Sequence, residues 1–161
     1  MKAKHVSIVV REARSEDAAA VDEVGRLAVA DLRKVYRPTP SAVKRARAQR
    51  TTCLVAVLDG RIVGTVRCRA EGDRLHLMGP MVHPDFRRRG VARAIVESVA
   101  TIARTIGAAR LSLFTVVETG NAPICKRLGF KVVRTTSAED VESVCGLALN
   151  EAYMERPIEY E

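Results

Sequence analysis

The chain has 161 residues, 47% of them hydrophobic and 29% charged, with a formal net charge of +8. This composition excludes a disordered polymer, and the length suits one domain with its own core, expected over residues 1–161. Aromatic residues are scarce at 4% and Trp is absent, so the core must be aliphatic, which counts against nucleic-acid modules that stack bases on aromatic platforms.

The positive charge draws the chain towards anions such as nucleic acid, phospholipid or phosphorylated cofactors, without choosing among them. The four cysteines (Cys53, Cys68, Cys125 and Cys145) have no CxxC spacing, and His5, His76 and His83 complete no zinc pattern with them. No metal site is expected, and the thiols read as reduced. No apolar run approaches the roughly 20 residues that span a bilayer, and the N-terminus lacks a signal-peptide core. The expectation is a soluble cytoplasmic protein with no membrane partner.

In chain order, residues 5–10 read as a strand rich in Val and Ile. Ser15 is a candidate N-cap, with Glu16 and Asp17 in the first turn. Val21, Val24, Leu27, Ala28, Leu32 and Val35 then recur at helical spacing. That helix must stop before Arg37-Pro38-Thr39-Pro40. Ser41 can cap a second, basic helix containing Lys44, Arg45, Arg47 and Arg50, read as a solvated face. An apolar run at 53–58, the hairpin signal Asp59-Gly60, a partner strand at 61–70, a turn at 71–73 and a strand at 74–82 form a meander. Gly79-Pro80 in the last strand predicts a bulge or an unpaired edge. Beyond Pro84 the spacing becomes helical from Ala92 to Ile106, with Gly107 as the stop. A strand at 111–117, a short helix at 123–128, a strand at 131–135 and a final strand at 153–158 complete the pattern. Residues 138–151 read as either a short helix or a loop.

The stretch that carries chemistry is Val82-His83-Pro84-Asp85-Phe86-Arg87-Arg88-Arg89-Gly90-Val91-Ala92-Arg93. A strand ends, a basic turn follows, and a long amphipathic helix begins. Helix N-termini expose unpaired N–H groups and partial positive charge, which makes them anion sites. Gly90 lets a phosphate approach closely, and Arg87, Arg88, Arg89 and Arg93 add charge-assisted donors. A di- or polyphosphate is expected here. There is neither a GxxxxGK[ST] nor a GxGxxG motif, which excludes the two common nucleotide loops.

Arg87-Arg88-Arg89-Gly90-Val91-Ala92 resembles the coenzyme A motif of the GNAT superfamily of N-acetyltransferases. A second signature, the strand at 111–117 followed by Asn121, a short helix and Leu128-Gly129-Phe130, resembles the same family. The resemblance covers nearly the whole chain. It implies a single α/β (α+β) domain: a mixed, mostly antiparallel sheet of six or seven strands with about four helices, its central strands splayed to form a cofactor cleft. It also implies transfer of an acetyl group from acetyl-CoA to a primary amine without a covalent enzyme intermediate. The pyrophosphate would meet the backbone from Arg88 to Arg93. The pantetheine arm would pair beside Met81, Val82 and His83, where a backbone N–H would polarise the thioester carbonyl. Asn121 would lie beside that arm.

One departure concerns the proton that the leaving thiolate needs. The family's Tyr position, counted back from Gly129-Phe130, is Cys125 here, which leaves Cys125 or Tyr153 as candidate acids. His76 is a candidate base, although strand alternation also allows it to be a solvated residue; Glu71 and Glu118 flank the region. The resemblance places the acceptor between residues 35–41 and 138–151, with Tyr36, Asp140 and Glu142 as candidate contacts; these acids would favour a cationic amine. It also makes a homodimer common. Two other functions stay open: a non-catalytic acyl-CoA-binding module, motivated by the missing Tyr, and a basic nucleic-acid-binding protein.

Overall fold

A computed structural model describes residues 7–160. Nine strands are described, β1 Val9–Glu12, β2 Tyr36–Pro38, β3 Thr52–Leu58, β4 Arg61–Glu71, β5 Arg74–Val82, β6 Arg110–Val116, β7 Lys131–Ser137, β8 Val141–Ser143 and β9 Asn150–Pro157. The α-helices are α1 Ala18–Val29, α2 Pro40–Ala48, α3 Val91–Thr105 and α4 Ala122–Arg127. Seven strands form one mixed sheet in the order β1-β3-β4-β5-β6-β9-β7, and β2 and β8 form a separate two-stranded sheet. The expected class, strand number and helix number are all found.

Local chemistry explains several boundaries that differ from the sequence reading. The first strand runs from Val9 to Glu12; the expected start at His5 and Val6 lies outside the described residues. Asp17, not Ser15, anchors the entry to α1: its carboxylate accepts the Arg14 N–H at 2.7 Å and the Arg11 guanidinium at 2.7 Å. That helix ends at Val29, short of the expected limit, and a 3-10 turn at Leu32–Lys34 leads into β2. For α2 the cap is Thr39 rather than Ser41. Pro40 occupies the first helical position, where its missing N–H costs nothing, so the Ala42 N–H meets Thr39 Oγ1 at 3.2 Å. The stop at Gly107 is as expected. Gly107 has φ +73 and donates to Arg104, while Ala108 donates to Ala103, a Schellman closure.

Helix α3 covers one face of the sheet. Its Val91, Ile95, Val96, Val99 and Ala103 are buried among Leu54, Val63, Leu75, Leu77, Leu111 and Phe130. Burying each large aliphatic side chain of this set stabilises by about 1.5–3 kcal/mol. The contact is close at Gly64, where a Cβ would come within 2.8 Å of Val91 Cγ1 and 2.9 Å of Ile95 Cδ1. Helix α1 packs on the opposite face, against β4 and β5.

Two irregularities in β5 position the site. First, Thr65 pairs with Met81 but Arg67 pairs with Met78, so β5 carries one extra residue at Gly79-Pro80. This is the bulge read from the sequence, and it lies where β5 has no β6 partner. It reverses the side-chain alternation. Leu77 packs under α3, whereas Met81 turns to the α1 face, where a Cβ on Gly25 would lie 3.7 Å from its sulfur. Second, β5 pairs in parallel with β6 only from Arg74 to His76, opposite Arg110 to Ser112. Beyond His76 the two central strands separate and leave a wedge that opens towards the N-terminus of α3.

Residues 138–151 form neither a helix nor a plain loop. They include β8, which pairs Tyr36 with Ser143, Arg37 with Glu142 and Pro38 with Val141. This small sheet joins the two segments that the sequence reading placed on either side of the acceptor.

Candidate active site

The wedge ends at the basic turn. Gly90 is the N-cap of α3 with φ +81, and Arg88 is left-handed at φ +62. Among the described residues, no carbonyl or side chain accepts the N–H groups from Arg87 to Arg93; the first α3 bond runs from Ala94 to Gly90 at 3.0 Å. Nothing lies within 4 Å of a Cβ placed on Gly90. The result is a run of free donors at the positive end of a 15-residue helix, open to solvent. Arg87 reaches Asp31 at 3.5 Å, Arg89 lies over the Phe86 ring at 5.2 Å, and Arg93 donates to the Arg127 carbonyl at 3.4 Å. The arginines therefore surround the turn without closing it. These residues fit a polyphosphate.

Beside the turn, His83 differs from Val82. Its N–H is taken by the Val63 carbonyl at 2.8 Å, its Nδ1 accepts from Asp85 at 3.1 Å, and its Nε2 lies 3.3 Å from Arg61. Its donor therefore faces β4. By alternation, the Val82 N–H points into the wedge. Pro80 offers no donor at all.

At the closed end of the wedge, His76 is not a solvated residue. It is 6% exposed, because β5 is a central strand and Phe114 of β6 lies 5.3 Å from its ring. Its Nδ1 is 2.7 Å from Ser112 Oγ, and among the described residues no protein group bonds to its Nε2. Burial holds the imidazole below its usual 6.5, partly offset by the nearby Glu71 carboxylate. A neutral ring at physiological pH follows.

Neither candidate acid faces the wedge freely. Cys125 packs against the α3 core, and burial pushes its thiol up. The Tyr153 hydroxyl accepts from Arg74 Nη1 at 2.8 Å and donates to Glu155 Oε2 at 2.8 Å. Burial first, and then the bond to Glu155, raise its pKa. Asn121 caps α4, and its N–H lies 3.4 Å from Thr119 Oγ1. Of the flanking acids, Glu71 is bound to Arg69 and Arg74, and Glu118 accepts from Asn150. Sequence reasoning missed Glu151 of β9, whose carboxyl burial pushes up, with Asp140 adding to the effect.

Across the sheet from α3 lies an open cleft of about 600 Å³. Its walls are α1 (Val21, Gly25, Val29), the bulge (Gly79, Met81) and four arginines, Arg26, Arg33, Arg47 and Arg67, with Asp22 as its acid. The acceptor contacts expected from the sequence lie elsewhere or are already engaged. Asp140 is paired with Arg45, Tyr36 lies under the Arg33 guanidinium, and Glu142 sits opposite Arg37 in the small sheet.

The sequence matches the acetyltransferase (GNAT) family over residues 21–130, a span that contains the wedge, the turn and α4. The chain belongs to the GNAT family. Solved structures support this family's fold across nearly the full length. The ribosomal-protein-S18-alanine N-acetyltransferase of Escherichia coli has 20% identity and a TM-score of 0.70, covering 96% of each chain. An N-acetyltransferase of Staphylococcus aureus Mu50 has 15% identity and a TM-score of 0.73, covering 95% of this chain and 99% of that one. The PaiA N-acetyltransferase of Thermoplasma acidophilum, solved with coenzyme A, has 15% identity and a TM-score of 0.71, covering 94% and 99%. A comparison with curated proteins finds no match. In this GNAT N-acetyltransferase, the free donors at Gly90 and the open edge of β5 lie in one continuous path from the turn before α3 to His76. Among the described residues, no helix is long and apolar enough to cross a membrane, and no cluster of His, Cys, Asp or Glu could hold a metal.

Proposed function

We propose that residues 1–161 act as one domain that transfers the acetyl group of acetyl-CoA to a primary amine. The observation that carries this reading is the set of unpaired N–H groups from Arg87 to Arg93 at the N-terminus of α3, lying where the open edge of β5 ends. Acetyl-CoA supplies an activated thioester when bound. The N–H groups, with Arg88 and Arg89, bind its pyrophosphate, and the Val82 N–H holds the pantetheine arm as an added strand would be held. The amine enters from the α1 face, where the β5 bulge has turned Met81.

His76 then takes the ammonium proton, directly or through one water. Its ring is neutral, its Nδ1 is held by Ser112, and its Nε2 is uncommitted. The amine nitrogen bonds to the thioester carbonyl carbon, the nitrogen releases its surplus proton to solvent, the C–S bond breaks, and the thiolate takes a proton from solvent. Cys125 and Tyr153 are both engaged elsewhere, so no side-chain acid is assigned to that last step.

The test is acetyl-CoA titration by calorimetry, with Gly90→Glu in parallel. A Glu side chain at this position meets no neighbour, although its φ of +81 strains a non-glycine residue, and its carboxylate repels a pyrophosphate. Binding by the parent that the folded variant loses supports the reading. Equal binding by both moves the cofactor elsewhere, and no binding by the parent ends the acetyltransferase proposal.

A further inference from the structure

Arginines near this sheet mostly have partners. Arg11 pairs with Asp17, Arg69 and Arg74 with Glu71, Arg110 with Asp73 and Glu155, and Arg156 with Glu97. The four that line the α1-side cleft make no ion pair among the described residues. Arg67 donates its Nε to Thr51 at 3.0 Å, and Arg33 lies over Tyr36 with its centre 5.3 Å from the ring. Among the described residues the Arg33 guanidinium makes no hydrogen bond, and its Nη1 is shielded from solvent. A guanidinium nitrogen without solvent or partner forfeits hydrogen bonds unless an acceptor arrives.

The four side chains come from separate parts of the chain. Arg26 is on α1, Arg33 on the 3-10 turn after it, Arg47 on α2 and Arg67 on β4. Converging on one cleft, with only Asp22 opposing them, they raise its potential. The cleft is the size of a small-molecule site, and it adjoins Gly79 and Met81, where the acetyl group is placed by the reading above.

We infer that the acceptor is a small amine that also carries oxyanions, carboxylate or phosphate. The arginines hold the anionic end and leave the amine directed at the bulge. This inference rests on the acetyltransferase reading and reverses the cationic preference expected from Asp140 and Glu142. Asp140 is neutralised by Arg45. A phosphate would take bidentate guanidinium contacts, as would a carboxylate, so the two sources are separated by the choice of acceptors.

The experiment measures thiol release from acetyl-CoA with matched acceptors: aspartate against asparagine, phosphoethanolamine against ethanolamine, and spermidine as the cationic case. The anionic member of at least one pair should have the higher kcat/KM, by roughly ten- to a hundredfold, the worth of one or two charge-assisted hydrogen bonds. The pair that shows the preference identifies carboxylate or phosphate. The advantage should shrink in Arg33→Gln and in Arg47→Gln and as salt rises, while the Kd for acetyl-CoA stays unchanged. Arg47 is on the exposed side of α2, so its variant tests the inference even where Arg33→Gln misfolds.

Preference for asparagine, ethanolamine or spermidine overturns the inference and leaves the acetyltransferase reading intact. So does an anionic advantage that survives both substitutions. If no acceptor in the panel turns over, aspartate and phosphoethanolamine are titrated into the acetyl-CoA-loaded protein, and failure of both to bind is also overturning. Tight, salt-sensitive oligonucleotide binding that both variants abolish would assign the arginines to nucleic acid instead. Failure to bind acetyl-CoA at all sinks the parent reading and is seen separately.

Discussion

Two arginine-rich regions share one face of the sheet and are built in opposite ways. At the closed end of the wedge, Arg69, Arg74 and Arg110 are interlaced with Glu71, Asp73 and Glu155, and Arg74 also donates to Tyr153. A few residues away, Arg26, Arg33, Arg47 and Arg67 surround the cleft with no acid paired to any of them. The same residue type is therefore structural where carboxylates neutralise it and available to bind where they do not. A paired guanidinium has its donors occupied, whereas an unpaired one keeps them for a ligand.

The largest expected effect lies at the boundary between the two regions, at His76. The substitution His76→Asn should lower kcat by roughly 10²–10⁴, the contribution typical of a positioned base. It should also remove the acid limb of the pH–rate profile. Burial lowers the His76 pKa, so that limb should fall below 6.5 in the parent. An unchanged acid limb would exclude His76 as the base and direct attention to Glu151.

Next is Glu71→Gln, which strips the shared partner from Arg69 and Arg74. Urea denaturation should show a loss of about 1–3 kcal/mol. A neutral result would mean that the paired network is as dispensable for folding as the cleft.

Acid titration sharpens the same contrast. The Arg11 guanidinium, with the Arg14 N–H, holds the Asp17 carboxyl at about 2. Burial would push Glu71 up, but Arg69, His76 and Arg74 together hold it below 4.5. For carboxyls depressed by folding, the stabilisation is complete above their ordinary values and is lost as pH falls through the folded ones. Stability should decline from about pH 4 towards pH 2. Glu71→Gln should make the decline shallower, and the cleft variants should leave it unchanged.

The smallest expected change is the stability of Arg47→Gln, within about 0.5 kcal/mol of the parent. A larger loss would show that the cleft arginines support the fold.

The fold and the basic turn before α3 were legible in the sequence because their signals are local. The segment from Arg87 to Arg93 is contiguous, and a helix N-terminus displays its free N–H groups whatever packs around it. The extra residue at Gly79-Pro80 could be read in the same way. His76 was less legible: alternation assigns a face but not what covers it, and Phe114, which lies against it, comes from β6, far along the chain. The partners of Asp140 and Glu142 were not legible either: Arg45, which pairs with Asp140, is far along the chain, and the small sheet that holds Glu142 opposite Arg37 forms only in the folded structure.

The sequence by itself determined the order of elements, the bulge, the glycine-led basic turn before α3 and the family. The tertiary structure alone brought the four cleft arginines together. Arg26, Arg33, Arg47 and Arg67 come from two helices, a turn and a strand, and no spacing rule joins them. They meet because α1 crosses β4 and β5 on the face opposite α3, and Asp22, the acid in the cleft wall, pairs with none of them among the described residues. Which charges remain unpaired is a property of long-range packing, and no local pattern encodes it.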